Sequence, residues 1–223
     1  MYVFKMKLSV IIPVYNEVNG VEKIIDTVKN VPIDKEIIVV DDFSTDGTRD
    51  KLKMIDGIKL LFHSKNMGKG AAIRTGSKKA VGEIILIQDA DLEYDPWDYI
   101  NLIKPFENKK VGAVYGSRFK GRGDFLFLSK LANRFLNFFT NIMFGKVSDM
   151  ETCYKLVRKE IFLDLGLTAN RFEIEPEITA KLLRKKIKII EVPIKYHARK
   201  IGKKIGVKDG LAACYHLFKW YFK

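Results

Sequence analysis

Apolar and polar positions along the first hundred residues fall in blocks. Leu8–Pro13 (LSVIIP), Glu36–Val40 (EIIVV), Ile58–Phe62 (IKLLF) and Ile84–Ile87 (IILI) are short, nearly continuous apolar runs bounded by charged or turn-forming residues. Such runs predict strands of a parallel sheet covered on both faces. Between them, Gly20–Asn30, Thr48–Ile55 and Gly70–Val81 predict helices, and Asp46-Gly47-Thr48 and Asn66-Met67-Gly68 supply turn chemistry at two junctions. The resulting βαβαβ order predicts a Rossmann-like α/β fold, a doubly wound, mostly parallel sheet. Ligands of such sheets bind beyond the carboxyl ends of the strands.

The remainder of the chain is less regular. Val111–Ser117 and Ile187–Ile194 predict strands, and Glu175–Lys185 a helix. Phe127–Met143 is distinctive when wound at about 100° per residue. Ser129, Lys130, Asn133, Arg134, Asn137, Thr140 and Asn141 then share an arc of about 140°, and the rest of the circumference is apolar and aromatic. That apolar face is wider than packing on a soluble core requires, and it predicts an amphipathic helix at a membrane interface. Leu211–Lys223, with Trp220 and Tyr221 beside Lys219 and Lys223, predicts the same. Core packing, or a second copy of the chain in a homo-oligomer, is the other way to cover these faces. No Pro/Gly/Ser-rich linker or repeat interrupts residues 1–223, so one continuous domain is expected.

With 47% hydrophobic and 30% charged residues the composition is that of a folded protein, which excludes general disorder. The longest stretch without Lys, Arg, Asp or Glu is Phe135–Gly145, too short to span a bilayer. No hydrophobic signal opens the chain and no transmembrane tail closes it, so a cytoplasmic, peripheral location is expected. Two cysteines make neither a disulfide framework nor a zinc spacing, and His63, His197 and His216 read as structural. The net charge of +13 changes the picture because it is lopsided. Residues 1–103 carry 14 Lys/Arg against 16 Asp/Glu, and residues 104–223 carry 26 against 11. A polyanionic partner is implied for the second half: nucleic acid, anionic lipid or phosphorylated substrate.

Candidate chemistry sits where strands end. Glu36–Val40 runs into Asp41-Asp42, whose carboxylates would lie in the ligand crevice, while Ser44 or Asp46 could cap the next helix. Ile84–Ile87 runs into Asp89, Asp91 and Glu93, alternate positions that resemble a hard-cation site. Mg²⁺ asks for only one or two carboxylates and leaves room for phosphate oxygens. Asn66–Gly70 lacks the spacing of a nucleotide-triphosphate loop. Arg199, Lys200, Lys203 and Lys204 surround Gly202 as a diphosphate clamp would. A nucleic-acid binder would account for the charge but would leave the strand-end carboxylates without a task.

Together, Pro13-Val14-Tyr15-Asn16-Glu17, Val40-Asp41-Asp42-Phe43-Ser44-Thr45-Asp46-Gly47-Thr48, Asn66–Gly70, Asp89-Ala90-Asp91, Gly116-Ser117-Arg118 and Glu191-Val192-Pro193 resemble the family 2 glycosyltransferases of GT-A fold. Within them the chain is most similar to the dolichyl-phosphate mannose synthase branch. The resemblance implies an inverting transfer of a hexose, mannose first, from a nucleoside diphosphate sugar (GDP-mannose or a UDP-sugar) to a polyprenyl or dolichyl phosphate. It divides the domain into a nucleotide-sugar half, 1–103, and an acceptor and membrane-facing half, 104–223. By the same resemblance Pro13, Tyr15, Glu17, Val40, Asp42, Lys69, Asp89 and Ala90 meet the nucleotide sugar, and Asp89, Asp91 and Glu93 hold Mg²⁺ or Mn²⁺. Arg118, with Ser129, Lys130 and Arg134, meets the acceptor phosphate, and Asp91, Arg118 and Arg199 carry catalysis. Phe125 stands where that branch has an arginine one turn before Ser129, so Lys130, Arg122 or Arg134 would take its place. The alternative is a saccharide hydroxyl acceptor. That chemistry needs a general base, for which Asp149 is the candidate.

Overall fold

The computed structural model of the chain describes residues 6–124 and 127–198 together with Tyr215 and Trp220, with backbone alone for 122–124 and 127–132. Seven strands form one sheet: β1 Leu8–Val14, β2 Lys35–Asp41, β3 Lys59–Phe62, β4 Ile84–Ile87, β5 Ala113–Asp124, β6 Lys155–Arg158 and β7 Ile189–His197. Their spatial order is β3-β2-β1-β4-β6-β5-β7. β1 pairs in parallel with β2 and β4, β2 with β3, and β5 with β7, while β6 is antiparallel to both its neighbours. One sheet thus takes strands from both the acidic and the basic half of the chain.

The helices are α1 Val21–Asn30, α2 Thr48–Lys53, α3 Lys69–Ser77, α4 Tyr99–Ile103, α5 Phe127–Met143, α6 Lys159–Asp164 and α7 Ile174–Arg184. α1 shows why the blocks fold as they do: Val21, Ile24, Ile25 and Val28, one helical face, are all buried. α3 approaches the sheet so closely that a Cβ on Gly76 would lie 2.7 Å from Ile11 Cγ2. Every residue of β4 is buried, as a strand covered on both faces requires.

Three features depart from the expected pattern. β5 continues past Ser117 to Asp124 through an irregularity opposite β7, where a Cβ on Gly121 would collide with the Ile194 carbonyl. β6 and α6 were not foreseen, because the Lys155 that opens β6 reads as a surface residue and is fully buried. α4 is a helix the pattern did not predict; Pro96 opens a short 3-10 turn that leads into it.

In the amphipathic α5, aromatic residues of the apolar face stay outward as an interfacial helix requires, but part of the polar arc turns inward instead of toward headgroups. Asn137 and Thr140, on that arc, are buried. Asn137 Nδ2 donates to Ser148 O at 2.7 Å, its Oδ1 accepts from the Met150 amide at 2.8 Å, and Asn141 Oδ1 accepts from the Val147 amide at 2.8 Å. Phe135, Phe138 and Ile142 instead face outward, 56%, 59% and 66% exposed. Trp220 also departs from its expected interfacial place. It is buried in the main core, and its carbonyl accepts from Arg184 Nη1 at 2.5 Å. Among the described residues no helix is long and apolar enough to cross a membrane.

Candidate active site

The carboxyl ends of β1, β2, β3 and β4 share one edge of the sheet, and Tyr15, Asp42, His63 and Asp89 follow them in turn. Tyr15, Phe43 and Met67 expose broad apolar surface there. Asp42 is buried: its Oδ1 accepts from the Met67 amide at 2.8 Å and lies 2.7 Å from His63 Nδ1, and its Oδ2 accepts from the Gly68 amide at 2.7 Å. His63 Nε2 meets Thr75 Oγ1 at 2.9 Å, which gives this histidine the structural part expected of it. Asp41 accepts from Arg49 Nε at 2.8 Å, and the Arg49 guanidinium stacks on Phe43 and Phe62. Gly47 is the N-cap of α2, and Asp46, one residue before it, accepts from the Thr48 amide at 3.1 Å. The strand-end acids of β2 therefore shape the crevice wall by fixing the loops around it.

The Asn66–Gly70 turn is packed against protein. The Ala71 amide donates to Asn170 O at 3.0 Å, and a Cβ on Gly70 would lie 2.5 Å from Ala169 O. Lys69 emerges from this turn into a buried charge network, where its Nζ lies 2.7 Å from Asp89 Oδ1 and 2.8 Å from Glu175 Oε1. Burial opposes the Lys69 charge, but Asp89 and Glu175 outweigh it and hold the ammonium well above its ordinary range. Glu175 Oε2 also meets Lys155 Nζ at 2.5 Å. Neither Glu175 nor Lys155 was singled out from the sequence for this. The two are joined to Lys69 only by tertiary folding, and no local spacing marks them.

Asp89, Asp91 and Glu93 follow β4 through a turn with Leu92 at φ 64°, and not in the extended alternation expected. Asp91 Oδ1 accepts from the Glu93 amide at 3.1 Å, and Glu93 Oε2 accepts from Tyr196 OH at 2.7 Å. Burial, then the charges of Asp89 and Glu93, push the Asp91 carboxyl up to about 7. Among the described residues no three acidic, His or Cys side chains already converge as a metal cage, since Asp89 turns to Lys69 and Glu93 to Tyr196. A crowded carboxylate with two acidic neighbours still fits a hard divalent cation, which needs only one or two protein oxygens when substrate supplies the rest.

Across the crevice, Arg118 on β5 is clamped by Asp149. Arg118 Nε and Nη2 meet the two Asp149 oxygens at 2.9 and 2.7 Å, and the Arg118 amide donates to Oδ2 at 2.8 Å. The guanidinium lies 5.1 Å from the centre of the Tyr196 ring. Asp149 is fully buried, so both oxygens of the candidate base are engaged. Glu191 braces the same turn, accepting from the Ser148 amide at 2.7 Å.

The structure thus brings Tyr15, Glu17, Asp42, Lys69, Asp89, Asp91, Glu93 and Arg118 to one sheet edge. Val40 and Ala90 lie buried beneath it, and Pro13 is half-buried. Arg134 is exposed on α5. Ser129 and Lys130 lie in the first turn of α5, their side chains outside the described part, and Arg199 and the cluster around Gly202 lie outside the described residues.

Comparison with known proteins supplies the family. Residues 9–166 match the profile of glycosyl transferase family 2. The chain belongs to that family. It is 31% identical to a dolichol-phosphate mannosyltransferase of Pyrococcus furiosus over 96% of the chain, and it spans 64% of that relative's length. It is 30% identical to a UDP-N-acetylglucosamine–dolichyl-phosphate N-acetylglucosaminyltransferase of Methanococcus voltae, covering 84% of each. In fold it resembles glucosyl-3-phosphoglycerate synthase from Mycobacterium tuberculosis, crystallised with Mn²⁺, uridine diphosphate and glucosyl-3-phosphoglycerate. The TM-score is 0.76 at 19% identity, over 97% of this chain and 78% of that one. The fold is GT-A, as the resemblance implied.

Proposed function

We propose that this family 2 glycosyltransferase moves a hexose from a nucleoside diphosphate sugar to a polyprenyl phosphate at a membrane surface, with inversion at the anomeric carbon. One observation carries the reading: an acidic strand end and a clamped arginine share a crevice beside a helix whose phenylalanines face outward. Tyr15, Phe43 and Met67 offer apolar surface to a nucleobase. Asp91, with Glu93 and Asp89, would hold Mg²⁺ or Mn²⁺, which when bound neutralises the departing diphosphate as a Lewis acid. Lys69 holds Asp89 in place. Arg118, fixed by Asp149, stabilises phosphate charge without reorganising. Arg134, Ser129 and Lys130 on α5 are our candidates for the acceptor phosphate, and Arg199 for closing over the donor. An acceptor phosphate is already anionic, so no strong general base is needed. The outward aromatic face of α5 would sit among lipid headgroups and acyl chains, beside the isoprenoid.

The saccharide-acceptor reading needs Asp149 as a proton acceptor, and that carboxylate is spent on Arg118. The relatives named above use mannose and N-acetylglucosamine, and we take mannose as the first candidate. The test offers GDP-mannose, UDP-glucose and UDP-N-acetylglucosamine to purified protein with Mn²⁺, each with and without dolichyl or undecaprenyl phosphate. Sugar recovered in the organic phase with one donor supports the reading and names the sugar. Nucleotide release only with a saccharide acceptor overturns it.

A further inference from the structure

β6 is the one strand of the sheet that runs against its neighbours, and this places its beginning, not its end, at the ligand edge. Leu86 of β4 and Val114 of β5 both pair with Leu156, so the turn preceding β6 emerges between Asp89–Glu93 on one side and Arg118 on the other. That turn is tied down at nearly every position. Asp149 holds Arg118, the Met150 amide donates to Asn137, Thr152 Oγ1 donates to Gly116 O at 2.6 Å, and the Cys153 amide donates to Tyr94 OH at 3.1 Å. The buried Lys155 Nζ gathers the carbonyls of Met150 and Thr152 from beneath.

Glu151 is the exception. Its backbone is held on both sides, yet its Oε1 is buried with no hydrogen-bond partner among the described residues. Burial, then the opposing charges of Lys155 and Glu175, set its carboxyl at about 7, and it feels Arg118 and Lys69 as well. The antiparallel entry into β6 places the turn that carries Glu151 between the end of β4 and Arg118 of β5. A buried polar oxygen left unpaired costs stability, and one kept in a native fold at a ligand edge is free to meet a ligand there.

We propose that Glu151 reads the transferred sugar, accepting a hydrogen bond from a hydroxyl of an uncharged hexose held between the β4 acids and Arg118. This rests on the glycosyl-transfer reading above. An uncharged sugar is specified because a uronic acid would bring a further carboxylate toward Glu151, Glu175, Asp89 and Asp91. Glu151 is a specificity residue in this account, and it neither leaves nor attacks.

The test compares wild type with Glu151→Gln and Glu151→Leu by calorimetric titration in Mn²⁺. The probes are UDP and GDP alone, then UDP-glucose, UDP-N-acetylglucosamine and GDP-mannose, with thermal midpoints recorded in parallel. The expected result is unchanged affinity for the nucleoside diphosphate and weaker binding of the accepted nucleotide sugar by Glu151→Leu. The loss should be roughly 10-fold to 100-fold, the scale of one hydrogen bond to a charged group. Thermal midpoints should hold or rise. Equal losses for diphosphate and sugar nucleotide, or a lowered midpoint in both variants, would make Glu151 structural and overturn the inference. Unchanged binding of every probe would overturn it too while leaving glycosyl transfer standing. Failure of wild type to bind any nucleotide would remove both.

Discussion

At the scale of single residues, the crevice is built from charges whose partners are fixed in advance. Arg118 and Asp149 are the clearest case, a bidentate pair buried against Tyr196. Removing one member of a buried pair strands the other, at a cost of about 3–5 kcal/mol. Asp149→Asn is therefore expected to lower the urea midpoint markedly and to lose activity with it. A general base would behave differently, losing activity at an unchanged midpoint. Glu151 allows a second prediction. An ordinary glutamate titrates at 4.5 and this one at about 7, so between those values the folded chain retains a proton that the unfolded chain releases. Its contribution to stability falls as pH rises through that window and stays lost above it. Glu151→Gln should then be more stable than wild type at pH 8, by on the order of 3 kcal/mol. The advantage should vanish near pH 4.5, read from unfolding curves at each pH.

At the scale of elements, α5 matters most because it buries part of its polar arc and leaves aromatic side chains outward. Asn137 and Asn141 point inward and lock residues 147–150, the segment that carries Asp149, while Phe135 and Phe138 point outward. The helix thereby connects the outward face to the arginine clamp through two hydrogen-bonded asparagines. Replacing Phe135 and Phe138 together with Ser should leave the thermal midpoint within a few degrees, since neither side chain is part of the core. Vesicle binding should drop about 10-fold or more, as the transfer energy of two aromatic side chains implies. Co-sedimentation with anionic vesicles measures this. If the excess of basic residues in 104–223 assists, wild-type binding will weaken as salt is raised.

For the whole molecule, the acidic strand ends and Arg118 of the basic second half meet along one sheet edge, an arrangement that the proposed phosphate-bearing substrates would use. Asp89, Asp91 and Glu93 repel one another without a cation, and Asp91 rises to about 7 in consequence of burial and that repulsion. A thermal shift from Mn²⁺ should therefore be larger at pH 8 than at pH 6, where a proton on Asp91 competes. Mn²⁺ with UDP should exceed the sum of either alone, and Asp91→Asn should abolish the metal-dependent part. Chelation with EDTA should stop transfer without unfolding the chain, because the core of β1, β2 and β4 does not depend on the acids.

The sequence by itself determined the layered α/β half of the molecule and the places where its chemistry lies. Strands such as Leu8–Val14 and Ile84–Ile87 are buried on both faces and so read as continuous apolar runs, and their ends carry the acids in plain alternation. The family pattern was legible for the same reason, since its motifs are local. Only the tertiary structure decided what those residues touch. Asp42 is absorbed by His63 and two backbone amides, Lys69 is joined to Glu175, and Asp149 is committed to Arg118. β6 is not legible in the pattern because a lysine opens it, and its antiparallel direction puts the turn that carries Glu151 at the ligand edge. The orientation of α5 is not legible for a related reason. Periodicity identifies two faces of a helix, and which of them turns inward is settled by the hydrogen bonds that Asn137 and Asn141 find across the fold.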